Sequence, residues 1–141
     1  ATDHAPHTLE EKQNPYTSAP SGGPLVQHAL IALLTEAKKG KITLEKLVEK
    51  ACHNPAILFK IQNRGYLREG YFADLVLVDL NKKTTVKKEN ILYKCAWSPF
   101  EGMTFDACIK KTFVNGNLVY NEGEIIESGL GKKLTFERNM I

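Results

Sequence analysis

The chain is poor in cysteine: Cys52, Cys95 and Cys108 are odd in number and show no Cys-x-x-Cys spacing. That argues for reduced thiols and a cytoplasmic protein rather than a disulfide framework. Long apolar runs are missing too. The longest, Ala29 to Leu34, falls far short of the roughly 20 residues that span a bilayer, and no stretch reads as a signal peptide. Charge of one sign is scarce: the formal net charge is +3, and the basic residues scatter as pairs such as Lys38-Lys39, Lys87-Lys88 and Lys132-Lys133. Dispersed pairs make solvated faces, not a nucleic-acid stripe, so neither a nucleic acid nor a membrane is expected as partner. No internal repeat or low-complexity stretch is present. With 43% hydrophobic and 25% charged residues, the composition is that of an ordinary globular chain, which excludes disorder.

What the chain does have begins at once. Ala1-Thr2-Asp3-His4-Ala5-Pro6-His7 brings an acid, two imidazoles and a proline into one short segment. Proline donates no ladder hydrogen bond and fixes its own φ, so Asp3 to His7 is expected to be a turn that presents polar side chains. Loops of that kind commonly carry chemistry.

Thr8 to Gly23, with Pro15, Pro20, Gly22 and small polar residues, reads as a long loop. From Pro24, Leu25, Ala29, Leu30, Leu33 and Leu34 recur at three and four, predicting a helix of about four turns that stops at Gly40. Thr43 caps a second helix with the stripe Leu44, Leu47, Val48 and Ala51, and a short third helix starts at Asn54-Pro55 and runs through Phe59. Around Asn63 the character turns to β. Ala73 to Asp79 predicts a strand, Thr84-Thr85-Val86 a further pairing segment, and Cys108 to Val114 and Leu118 to Tyr120 flank the hairpin signal Asn115-Gly116. The predicted domains are therefore 1–62 and 63–141. Of the remaining residues, His28 and His53 are expected to pack or cap, the cysteines to pack as small hydrophobes, Asp74 to make a structural backbone bond and Trp97 to cap the core.

Thr2-Asp3-His4-Ala5-Pro6-His7 closely resembles the Thr-Asp-His-Ala-Pro-His signature of dihydroorotase, a cyclic-amide hydrolase of the amidohydrolase superfamily, and Thr8-Leu9-Glu10-Glu11-Lys12 extends the likeness. Ala19-Pro20-Ser21-Gly22 is similar to that family's A-P-x-G loop, and Trp97-Ser98-Pro99-Phe100-Glu101-Gly102 to its Ser/Thr-Pro-Phe-x-Gly element. Gly65 to Val76 resembles the G-x-(I/L)-x-x-G-x-x-A-D-(L/I)-V segment of many amidohydrolases, and Val114-Asn115-Gly116 with Val119-Tyr120 their closing hairpin. One departure stands out: Gln27 occupies a position where many relatives carry glutamate.

The resemblance implies an α/β plus β fold. Residues 1–62 would be the last part of a (β/α)₈ TIM-like barrel, with the end of strand 8, the active-site loop and the following helices, and 63–141 the C-terminal part of a small β-sandwich. A whole barrel needs about 250 residues, and these 141 start inside a motif, so a fragment of a larger protein is expected. The implied activity is zinc-dependent, reversible hydrolysis of dihydroorotate to N-carbamoyl-aspartate in de novo pyrimidine biosynthesis. By position, Asp3 would bind a binuclear Zn2+ centre and carry the proton, His7 would contact the substrate carboxylate, and the backbone of Pro20, Ser21 and Gly22 would touch the substrate ring edge, where glycine permits close approach. His4 inherits no role.

The family's other ligands, a His-x-His pair, a carbamylated lysine and two more histidines, lie on earlier strands, whereas this chain has only His4, His7, His28 and His53. Two histidines and one acid on a tight turn give an incomplete, poorly convergent zinc shell, so neither bound Zn2+ nor activity is expected of these residues alone. Implied partners are the small-molecule substrate, the rest of the barrel, and a second copy or aspartate transcarbamoylase. Three other readings compete. One is an allantoinase or hydantoinase-type cyclic amidohydrolase, which the Ala-Pro-His ending disfavours. The second is a non-catalytic dihydroorotase-like partner of aspartate transcarbamoylase, and the third a free-standing β module at 63–141. On the fragment reading, the Leu25 and Leu44 helices should expose apolar faces.

Overall fold

A computed structural model of the chain describes residues 2–126 and 131–137. The elements run α1 (Leu9–Lys12), α2 (Ala29–Lys38), α3 (Leu44–Val48), a π-helical turn (Glu49–His53), α4 (Asn54–Leu58), β1 (Leu75–Asp79), β2 (Thr84–Thr85), a 3₁₀ turn (Lys88–Asn90), β3 (Thr104–Phe105), β4 (Cys108–Val114), β5 (Asn117–Asn121) and β6 (Glu124–Ile125). They form a mixed helix and sheet structure in two compact units, one of Ala1–Thr35 with Leu80–Cys108 and one of Glu36–Asp79 with Ile109–Ile141.

In the first unit, the segment read as a long loop opens with a helix. Thr8 caps α1 by accepting the Glu11 N–H at 3.2 Å, while Glu11 Oε2 accepts the Thr8 N–H at 2.7 Å, a reciprocal capping box. The Thr-x-x-Glu spacing was legible; the surrounding prolines and small polar residues hid it. Helix α2 starts at Ala29 rather than Pro24 because the Leu25 and Val26 N–H groups donate to the His4 ring at 3.1 and 3.3 Å. The first regular bond, Ala32 N–H to His28 O at 3.0 Å, follows a tighter turn in which His28 N–H reaches Leu25 O. Pro24, Ile31, Leu34, Val86, Phe105 and Ala107 are the unit's buried apolar residues. Thr35 joins them as a buried polar group with its bonds made: its hydroxyl donates to Ile31 O at 2.8 Å and accepts the Asp106 N–H at 2.9 Å. Strands β2 and β3 pair antiparallel, Thr84 opposite Phe105.

In the second unit, Thr43 caps α3 as its spacing predicts, accepting the Lys46 N–H at 3.1 Å. Pro55 sits in the first turn of α4 but inside an otherwise continuous helical run, where its ring would press on the carbonyl four residues back. The π-helical turn just before it widens the spiral, with Asn54 N–H reaching Glu49 O, and absorbs the mismatch. The sheet order is β1-β4-β5-β6. Asn115 and Gly116, at φ 52 and 83, make the two-residue turn that the Asn-Gly pair predicts, placing Val114 opposite Asn117, with a bulge between Thr112 and Phe113. Asp74 makes its structural bond here: its carboxylate accepts the Asn115 N–H at 2.8 Å and pairs with Arg64, whose guanidinium also donates to Asn115 Oδ1 at 2.7 Å. No disulfide joins the cysteines among the described residues. Cys95 and Cys108 are half-buried, but Cys52 is exposed, which corrects the expectation that every thiol packs as a small hydrophobe.

Candidate active-site loop

Asp3 adopts φ 48, a left-handed conformation that aspartate tolerates better than most residues, and its side chain is exposed. Pro6 then centres a three-residue turn in which His7 N–H donates to Ala5 O at 2.9 Å, a geometry suited to proline's fixed φ. His7 is followed directly by the Thr8 cap. Its ring, 38% exposed, lies with Nδ1 3.9 Å from Glu11 Oε2. The Thr8 backbone N–H, then its hydroxyl, and to a smaller extent the nearby His7 hold the Glu11 carboxyl below the usual carboxylate range.

The Pro20–Gly22 loop is fastened to this turn. His4 and Gly23 form a parallel bridge, and Ala5 N–H donates to Gly23 O at 3.0 Å. Lys12 Nζ, from the last turn of α1, donates to Pro20 O at 2.5 Å and Gly22 O at 3.0 Å. Gly22 is at φ 84, and a Cβ there would stand 2.7 Å from the Ala5 Cβ. The close approach this glycine permits is thus between the two loops. Pro20 is half-buried and Ser21 exposed. Asp3, His7, Pro20, Ser21 and Gly22, five residues read from the sequence, therefore sit on two loops joined by backbone bonds.

Sequence reasoning gave no role to His4 or Lys12, and it treated Trp97 as a core cap. The His4 Nδ1 accepts the two backbone N–H groups of Leu25 and Val26, in the segment that leads into α2. Its ring lies 5.3 Å from that of Tyr93, whose hydroxyl donates to Pro24 O at 3.0 Å. Trp97 is half-buried and its indole N–H donates to His7 O at 2.8 Å. These pairings link residues 21 to 90 positions apart and leave no local signal.

Gln27 uses both ends of its amide, donating to Asn90 O at 2.7 Å and accepting the Leu92 N–H at 2.8 Å. An ionised glutamate could do only the second. His28 is buried, with Nδ1 3.3 Å from the Ser98 hydroxyl, and burial lowers its pKa. As for metal, no group of three or more His, Cys, Asp or Glu residues that could hold an ion exists among the described residues, so the predicted metal contact rests on Asp3 alone. No helix among the described residues is long and apolar enough to cross a membrane.

The profile of the amidohydrolase family matches residues 1–119. The dihydroorotase of Pyrococcus horikoshii is 39% identical over 139 residues, covering 99% of this chain and 32% of that protein. The dihydroorotase of Clostridium acetobutylicum is 40% identical over 123 residues, covering 86% and 29%. Among solved structures, the D-hydantoinase (dihydropyrimidinase) from Thermus sp. superposes with a TM-score of 0.81 at 26% identity, covering 92% of this chain and 30% of its own. The L-hydantoinase (dihydropyrimidinase) from Arthrobacter aurescens does so at 0.75 and 33%, covering 84% and 27%. The chain spans about a third of the length of the curated relatives it matches.

Proposed function

The chain belongs to the amidohydrolase family, and from that premise we propose that it is the carboxy-terminal portion of a dihydroorotase, which opens the cyclic amide of dihydroorotate to N-carbamoyl-aspartate and closes it again in pyrimidine synthesis. The observation that carries this reading is the exposed Asp3 carboxylate and half-exposed His7 imidazole on one turn, tied by backbone bonds to the Pro20–Gly22 loop. The 39% identity to a dihydroorotase across nearly the whole chain supports it.

Zn2+, when bound with ligands from outside these residues, supplies the Lewis acidity that makes water nucleophilic near pH 7 and polarises the amide carbonyl. Asp3 offers it one carboxylate. In hydrolysis Asp3 takes a proton from the attacking water and delivers it to the ring nitrogen as the C–N bond breaks. His7 donates to the substrate carboxylate, a charge-assisted bond. The backbone of Pro20, Ser21 and Gly22 meets the substrate ring edge, its loop steadied by the Lys12 bonds to the Pro20 and Gly22 carbonyls.

On this reading residues 1–62 are the end of barrel strand 8, its loop and the following helices, and 63–141 the C-terminal part of a small β-sandwich. That division follows descent and so cuts the chain differently from the two compact units. A cytoplasmic location, the missing barrel as first partner, and a second copy or aspartate transcarbamoylase as further partners belong to the same proposal. The competing reading, an allantoinase or hydantoinase-type cyclic amidohydrolase, draws on the solved hydantoinases named above, which resemble the chain as members of a related family. Assays of the full-length protein with dihydroorotate, hydantoin and allantoin separate the two: turnover of dihydroorotate is expected, and activity confined to the others overturns the proposal. Asp3→Asn should lower kcat at least about 100-fold, as loss of a general acid-base group does. Undiminished turnover in that variant would remove Asp3 from the mechanism.

A further inference from the structure

We propose that Trp97 is a positioning residue for the active-site loop, its indole N–H fixing the His7 backbone so that the His7 imidazole keeps its reach to the substrate carboxylate. The inference rests on the role proposed above for His7. It starts from the state of the His7 backbone. The N–H donates to Ala5 O at 2.9 Å, the carbonyl accepts from Trp97 Nε1 at 2.8 Å, and the N–H of the next residue, Thr8, is held by Glu11 at 2.7 Å. Three successive main-chain groups are thus committed, which leaves the imidazole as the part of His7 with freedom to engage a ligand.

Of these three bonds, two are local and come from the Pro6 turn and the α1 cap. The third comes from a residue 90 positions downstream and is the one of the three that ties the His7 backbone to a separate segment. That segment is itself held firmly. Ala96 sits at φ 54 with its N–H on Tyr93 O at 3.0 Å, and the buried Ser98 hydroxyl accepts the Phe100 N–H at 3.2 Å and lies 3.3 Å from His28 Nδ1. The far edge of the indole reaches the second loop: a Cβ on Gly23 would stand 4.0 Å from Trp97 Cη2. One side chain therefore hydrogen-bonds the first loop and lies beside the end of the second. A tryptophan that merely filled space could satisfy its N–H on any nearby acceptor. Here the acceptor is the main chain of the residue proposed to read the substrate's charge.

The test uses the full-length enzyme with Trp97→Phe, and with Trp97 replaced by benzothienylalanine, which keeps the ring system and lacks the N–H. Both should raise the KM for dihydroorotate about fivefold to tenfold, the scale of one lost hydrogen bond, with kcat within about twofold. Asp3→Asn should do the reverse. In a His7→Ala background the tryptophan change should raise KM no further, because the residue it positions is gone. An unchanged KM in the single variants, or an undiminished effect on top of His7→Ala, overturns the proposal. A second readout needs no turnover: with 13C-labelled histidine, the His7 ring signal should shift in the benzothienylalanine protein while that of His53 stays put. A stationary His7 signal refutes the tether. A shifted signal, together with a His7→Ala enzyme of normal KM, upholds the tether and rejects the substrate role of His7 instead.

Discussion

Asp3 stands at φ 48, and this decides which substitution tests its chemistry. Alanine in the left-handed region costs about 1–2 kcal/mol, so Asp3→Ala would blur a lost carboxylate with a distorted loop. Asparagine tolerates the conformation, keeps the shape and removes the charge, which makes Asp3→Asn the cleaner probe. His28 lends itself to a different measurement. Burial depresses its pKa below the ordinary value, which is about 6.5. Below that value the unfolded chain binds more protons than the folded one, so unfolding takes up protons and stability rises with pH across the window. The contribution is complete above about pH 6.5 and is lost as pH falls toward the depressed folded value. Thermal melts at pH 7.5 and 5.0 should show acid destabilisation that shrinks in His28→Gln; equal pH dependence in the two proteins would refute the assignment. The sequence placed His28 on an apolar helix face, so its packing role was legible. What His4 does was not, because an acceptor 21 residues upstream of Leu25 has no counterpart in the local propensity of the segment leading into α2.

At the level of elements, the legible features are those whose cause is local. Thr43 before an apolar stripe gives the α3 cap, Asn115-Gly116 gives the hairpin turn, and Asn54-Pro55 starts α4. The features that escaped have causes spread along the chain. The π-helical turn depends on a proline that follows it, and the β2–β3 register depends on residues 19 or more positions apart. Gly65 is of the second kind. It lies at φ 80, and a Cβ there would meet Ala56 Cβ at 2.6 Å and Cys52 O at 2.8 Å, so the chain passes directly against the helical run. Gly65→Ala should therefore lose about 2–5 kcal/mol, from the left-handed strain and overpacking together. Gly40, at φ 75 with nothing within 4 Å of its Cβ position, isolates the first component. Gly40→Ala should cost about 1–2 kcal/mol. Chemical denaturation of both variants measures the difference, and equal losses would show that the helical run moves aside freely.

Across the whole chain, apolar surface is the feature that a sequence pattern expresses only in part. The Leu25 and Leu44 helices were expected to expose their apolar faces, and the result is divided: Leu34 and Leu47 are buried, whereas Leu33, Leu44 and Val48 are exposed. Periodicity tells which side of a helix is apolar but not how much of that side its own chain can cover. A run of consecutive exposure lies where no periodicity pointed, at Ile57 (63%), Leu58 (74%) and Phe59 (61%), three large side chains at the end of α4. Isolated exposed hydrophobes are common, but a contiguous group marks a surface that something else covers. The proposed reading provides the cover, since the curated relatives are about three times as long as this chain. Expressed alone, these 141 residues should bind a hydrophobic dye and associate in sedimentation, and Leu58→Glu with Phe59→Glu should reduce both. The full-length protein should bind the dye weakly, and there the same substitutions should destabilise, because each charge is forced into a covered site. A monomeric, dye-free 141-residue chain would show that its apolar face is adequately hydrated, and the argument for a missing cover would fail with it.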